Sequence, residues 1–298
     1  MFRTTVHSVL VPITLNEEGT NAIRQAMCIY GKFYPHITLL HVIPAQPLPF
    51  RWFRPVSRQR CRRQAFDRFQ EFVAAHFHGE IPPFISLKLK QGTLVKTLVT
   101  QINRLKYDLV ILNKKLEQRP KMQSAWEAGI RLVVGEAFCP VLTFNGIPCD
   151  NQISKIMVPV DISRPHRHNV AWAIELGLRY HAAIHIVSVL GSNIKMEKSR
   201  IYRKVKTIER KIRGAHLPCE ITILRSGDKK LHEIIPGFIN RHRPDLVLIM
   251  THQEAVLDIN YIGKLASGVL KESGQPVFAI TPKKETLITS LLDILKTK

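Results

Sequence analysis

The stretch SKIMVPV, residues 154–160, has a counterpart 147 residues upstream in HSVLVPI, residues 7–13, with Pro159 aligned on Pro12. Each is a short apolar run of strand length that ends at a turn-prone position, which is how a strand buried on both faces reads. Working outward, ITLLHVI from Ile37 and IHIVSVL from Ile184 keep the same offset. YDLVILN (Tyr107 to Asn113) matches PDLVLIM (Pro244 to Met250) at an offset of 137, and CPVLTF from Cys139 matches QPVFAI from Gln275 at 136. The order of the pieces is preserved, so the chain carries two copies of one unit. The offset falls by about ten between the second and third matches, which assigns the first copy a longer connection around the turn-rich QPLPFRWFRP.

Helical periods separate these runs. Ala22, Ile23, Ala26 and Ile29 recur at helix spacing in the first copy, as do Val170, Ala173, Ile174 and Leu176 in the second. A second stripe runs through Phe66, Phe69, Val73 and Phe77, and its counterpart through Ile201, Val205, Ile208 and Ile212. A third strand follows (Ile85 to Leu89; Glu220 to Leu224), then a helix through Leu94–Ile102 or Leu231–Ile239, the DLV strand, a last helix and the closing strand. Alternating strands and helices predict the α/β class: two repeated doubly wound domains, each a five-stranded mainly parallel sheet sandwiched by helices. The expected boundaries are 1–146 and 147–284, joined by a linker near Asn145 to Gln152. A C-terminal amphipathic helix over 285–298 carries Leu287, Leu291 and Leu295 on one face.

Composition narrows the class. With 298 residues, 45% hydrophobic and 22% charged, the chain has ordinary globular usage, which excludes disorder, collagen-like and coiled-coil classes. No apolar run reaches the length of a membrane span, and no signal peptide is read at the N-terminus. Cysteines 28, 61, 139, 149 and 219 form no CxxC pair, so neither a disulfide framework nor a zinc site is indicated, and a cytoplasmic location is expected. The histidines lack ligand spacing with a third partner, and no metal site is expected. G-x-S-x-G, Walker A and H-E-x-x-H motifs are absent, so no catalytic residues and no enzyme activity are assigned.

The charge is unusual: 44 Lys+Arg against 23 Asp+Glu give +21. The excess is shared between the halves, with 20 basic and 10 acidic residues before position 151 and 24 and 13 after it, so it is no basic tail. It concentrates in the second helix of each copy. Arg51 to Arg68 holds seven arginines against Asp67, and Lys195 to Arg213 holds nine basic residues against Glu197 and Glu209. The plain reading is a solvated helix face. The functional one is a polyanion or RNA-binding surface through Arg58, Arg62, Arg63, Lys204, Lys206 and Arg210.

The strand and proline patterns LVPI (10–13) and MVPVD (157–161), the second-strand endings LLHV (39–42) and IVSV (186–189), the DLV strands and the PVL/PVF closing strands together resemble a tandem universal stress protein. The resemblance covers nearly the whole chain and implies an adenine nucleotide alpha hydrolase-like fold. It implies that the copies pair within one chain through Val141 to Phe144 and Val277 to Thr281, and leaves a homodimer and an unidentified protein partner open. Nucleotide-binding members of that family use an Asp after the first strand and a G-x-x-G-x9-G-[S/T] loop. Such glycines allow close backbone approach to a phosphate at a helix N-terminus. Here Met250 and Gln253 take the first two glycine positions of the second copy, Gly263 remains, and Lys264 replaces the hydroxyl residue. The positions implied for a ligand in that copy are Pro159, Val160, Asp161, Val189, Gly227, Gly263 and Lys264. In the first copy Thr14 replaces the Asp, Asn113 and Leu116 replace two glycines, and Glu127 aligns with the third. The expectation is therefore a non-catalytic stress-response binding or regulatory protein with a degenerate nucleotide motif and no cofactor. Binding of ATP or AMP through the second copy alone is the alternative, and polyanion binding the third reading.

Overall fold

The structure is a computed structural model that describes residues 4–44, 55–115, 120–146, 152–160, 167–190, 200–225, 229, 231–251 and 262–281. The first half runs β1 (Ser8–Pro12), α1 (Glu17–Phe33), β2 (His36–Ile43), α2 (Pro55–Ala74), β3 (Ile85–Gln91), α3 (Leu94–Leu105), β4 (Leu109–Asn113), α4 (Pro120–Glu136) and β5 (Val141–Phe144). The second half repeats the order with β6 (Lys155–Pro159), α5 (Arg167–Tyr180), β7 (Ala183–Leu190), α6 (Arg200–Gly214), β8 (Cys219–Arg225), α7 (Leu231–His242), β9 (Leu246–Met250), α8 (Lys264–Glu272) and β10 (Val277–Ile280). The expected C-terminal helix lies outside the described residues, as do Asp161, Gly227 and the side chain of Arg58.

All ten strands form one sheet in the order β3-β2-β1-β4-β5-β10-β9-β6-β7-β8. Within each half every pairing is parallel, and the halves meet at β5 and β10, which pair antiparallel with Phe278 opposite Leu142. The central strands are apolar on both sides because helices cover both faces of the sheet. Alternate residues of β4 divide accordingly: Leu109 and Ile111 face the layer that holds α1, α2, α5 and α6, and Val110 and Leu112 face the layer of α3, α4, α7 and α8.

Local chemistry fixes the strand starts. Asp108 accepts from the backbone N–H groups of His7 (3.1 Å) and Ser8 (3.0 Å), and Asp245 accepts from those of Ser154 (2.9 Å) and Lys155 (2.9 Å). The aspartate of each DLV strand thus anchors the opening strand of its own half. Helix α1 begins at Asn16, whose side chain accepts from the Gly19 N–H, with Glu17 and Glu18 in the first turn where the helix dipole favours them. Gly19 has no substitute here, since a Cβ would lie 1.8 Å from the Thr14 carbonyl oxygen.

Side chains join the halves on both faces. Arg179 of α5 donates to the Lys32 carbonyl at the end of α1 (2.8 Å), and its guanidinium lies 4.5 Å from the Phe33 ring centre. Across the sheet, Lys114 Nζ donates to the carbonyl of Ser273 that closes α8 (2.6 Å), and the Thr281 hydroxyl donates to the Val134 carbonyl of α4 (3.3 Å).

Candidate ligand clefts at the strand reversals

In a doubly wound sheet the crevice opens at the C-terminal ends of the strands where the order reverses. Those points lie between β1 and β4 in the first half and between β6 and β9 in the second.

The first cleft is occupied by the protein's own groups. The Thr14 hydroxyl bonds to the Asn16 side chain, and an imidazole nitrogen of His41 (Nδ1) meets the Ile13 carbonyl at 3.0 Å. At the end of β4, the Trp126 indole N–H donates to the Asn113 carbonyl (2.8 Å), and the Gln123 amide donates to the Lys114 carbonyl (2.9 Å). The Asn113 side-chain oxygen accepts from the backbone of Lys115 and Gly146, each at 3.0 Å. With the helices aligned at Glu136 and Glu272, Glu127 falls on Gly263. Glu127 lies well inside α4, which starts at Pro120, whereas Gly263 caps α8, which starts at Lys264. About two extra helical turns therefore stand in the first half where the second has a helix N-terminus. The cavity among Lys114, Glu127, Ile130 and Leu270 is about 20 Å³, room for about one water. Burial pulls the Lys114 ammonium down to about 8, against the pull of Glu127, which favours the charged form.

The second cleft is described at its strand ends and at the start of α8. Pro159 ends β6, and fully buried Val160 donates its N–H to the Val187 carbonyl (2.8 Å) and accepts from the Ser188 hydroxyl (2.9 Å). Val189 is half-buried on β7. Met250 sits in the β9 ladder opposite Ile280, so the first glycine position is part of the sheet. Gly263 has a backbone conformation open to any residue (φ −54°), and its N–H is bonded to the Thr251 carbonyl at 2.8 Å. Lys264, exposed, opens α8 directly behind it. Among the residues expected around a ligand, Pro159, Val160, Val189, Gly263 and Lys264 are described, on β6, β7 and the start of α8.

Two features at these ends were missed in the sequence. Asn169, in the first turn of α5, is completely buried, and neither its amide nitrogen nor its oxygen has a hydrogen-bond partner among the described residues. Its counterpart at the 147-residue offset is Ala22, and that contrast was the available signal. Lys114 follows β4 as Thr251 follows β9, but nothing local shows that its side chain crosses to the other half.

The basic helices do not merge into one patch. α2 packs Phe69 near His41 of β2, while α6 covers β7 and β8 at the other end of the sheet. Arg62, Arg63 and Arg210 are exposed, and Lys204 is half-buried. Lys206 (2.8 Å) and Arg213 (3.2 Å) both hold Glu209, so part of the α6 charge is neutralised along the helix. The Lys206 hydrogen bond also holds the Glu209 carboxyl below its usual range.

No family model matches the chain, and no curated protein matches it in sequence. Solved structures do. A universal stress protein from Archaeoglobus fulgidus DSM 4304 superposes with a TM-score of 0.68 at 15% identity, covering 94% of this chain and 98% of that one. A candidate universal stress protein from Pseudomonas aeruginosa UCBPP-PA14 gives 0.65 at 19% identity over 97% of each chain. A protein of Pseudomonas aeruginosa PAO1, described as functionally unknown, gives 0.59 at 18% identity over 98% of each. The fold of this chain is that of universal stress proteins along nearly its whole length. No helix among the described residues is long and apolar enough to cross a membrane.

Proposed function

We propose that this chain is a non-catalytic binding and regulatory protein of the tandem universal stress type, acting in the cytoplasmic stress response, with its first nucleotide cleft closed by its own side chains. The observation that carries this reading is the capping of the β4 carbonyls by Trp126 and Gln123 from an α4 two turns longer than α8. A phosphate placed there would have to displace both bonds and lie beside the Glu127 carboxylate, which repels it. No side chain described at either strand reversal combines a nucleophile with a base that activates it.

A weak nucleotide site in the second half is the second reading, favoured by the N-terminus of α8 with Lys264 beside it, where backbone N–H groups and dipole receive anions. Calorimetric titration with Mg-ATP tests both readings. The expected result is no more than one weak site, abolished by Lys264→Glu, with no release of phosphate. Two sites per chain, or turnover of ATP, would overturn the proposal.

A further inference from the structure

A groove of about 300 Å³ runs between α5 and α6, lined by Arg167, Val170, Ala171 and Ile174 from one helix and Thr207, Ile208 and Lys211 from the other. Its volume is at the lower bound of small-molecule sites. The floor is aliphatic: Val170 and Ile208 are buried, and Ala171 and Ile174 are half-buried. Arg167 and Lys211 bring two cations to it. The carboxylates of the same helices are committed elsewhere, Glu175 to Arg179 (2.6 Å) and Glu209 to Lys206 and Arg213. Among the described residues neither Arg167 nor Lys211 has an acidic partner.

The first half shows the same groove closed. The 147-residue offset places Thr20 on Arg167, and matching the core-facing pair Val73 and Phe77 with Ile208 and Ile212 places Phe72 on Thr207 and His76 on Lys211. There His76 Nε2 bonds the Thr20 hydroxyl across the gap (3.0 Å), Nδ1 bonds the Phe72 carbonyl (2.8 Å), and the Phe72 ring lies 5.0 Å from the imidazole. The second half therefore differs in three linked positions. A hydrogen-bonded threonine–histidine pair has become two cations, and the phenylalanine ring beside the imidazole has become a threonine whose hydroxyl turns back to the Arg203 carbonyl (2.9 Å). Two like charges over an unfilled apolar floor are unfavourable for the empty protein, and an anion with an apolar body relieves both defects at once.

We infer that the α5/α6 groove binds a small amphipathic carboxylate, a medium-chain acyl anion whose head lies between Arg167 and Lys211 and whose chain covers Val170, Ile174 and Ile208. The site lies between two helices rather than at the strand ends and does not depend on the nucleotide reading. Its test is calorimetric titration of the full chain with octanoate, with octylamine and inorganic phosphate as probes of the wrong charge and of charge alone. Octanoate is expected to bind at one site, and neither control to bind there. Removing a charge-assisted contact lowers affinity by about tenfold or more, the loss expected for both Arg167→Glu and Lys211→Glu. Thr207→Phe, an exposed position given the first half's residue, is expected to cause a similar loss with both charges intact, and Thr207→Ser to bind as the native chain does. Absence of octanoate binding, full binding to Thr207→Phe, or phosphate competing as well as octanoate would overturn the inference.

Discussion

Lys114→Met removes a lysine whose ammonium bridges the two halves from a buried position, and its effect on stability depends on pH. Lys114 is 8% exposed, donates to the Ser273 carbonyl at 2.6 Å, and is lowered by burial from 10.5 to about 8. Between those two values the unfolded chain holds the proton and the folded chain has released it. Stability therefore rises with pH across that window, and the penalty for burying the charge is present in full below pH 8. At 1.36 kcal/mol per unit the whole window corresponds to ~3 kcal/mol, of which ~2 kcal/mol is reached between about pH 7 and pH 9.5. At pH 7 the variant loses this penalty but leaves the Ser273 carbonyl without its donor, a loss of about 1–3 kcal/mol, so the two effects nearly cancel. The information is in the slope. Urea unfolding of both proteins at several pH values should show the native chain gaining ~2 kcal/mol on the variant. The thiols of Cys139, pushed up to about 12, and Cys219, pushed up to about 11, are common to both proteins and drop out of the difference. A pH-independent difference would refute the buried-charge account of this seam.

Asn169→Leu should raise stability by about 1–2 kcal/mol in thermal or urea unfolding, because it replaces a buried amide with no partner among the described residues by an apolar group of similar size; destabilisation would mean that the amide is satisfied in solution. Gly19→Ala should destabilise by about 3 kcal/mol, the upper end for overpacking, because the added carbon meets the Thr14 carbonyl, and native-like unfolding would contradict the close approach. Heparin or mixed-sequence RNA should bind with strong salt dependence and little sequence preference. Changing Arg58, Arg62 and Arg63 to Glu, or Lys204, Lys206 and Arg210 to Glu, should each weaken that binding, and no change in either would reduce the charge to a solubility feature.

The strands were legible because parallel strands covered on both faces need apolar residues at successive positions, as in Leu109 to Leu112 and Leu246 to Met250, and the repeat supplied each reading twice. The contrast between Gly263 and Glu127 was legible for the same reason, since the repeat brings the two to one position. The side-chain caps at the end of β4 were not. The capping of Asn113 and Lys114 rests on side chains meeting backbone carbonyls nine to thirteen residues away, which leaves no periodic mark. The Asp108 and Asp245 anchors and the Lys114 bridge join positions about 90 to 160 residues apart, and the α5/α6 groove emerged only when both halves could be compared in three dimensions.

The most direct test of the closed first cleft is a crystal structure grown with excess Mg-ATP. The account predicts continuous bonds from Trp126 to Asn113 and from Gln123 to Lys114, no nucleotide beside Thr14, and any bound phosphate confined to the neighbourhood of Gly263 and Lys264. Nucleotide density at the ends of β1 and β4, with Trp126 displaced from the Asn113 carbonyl, would contradict it.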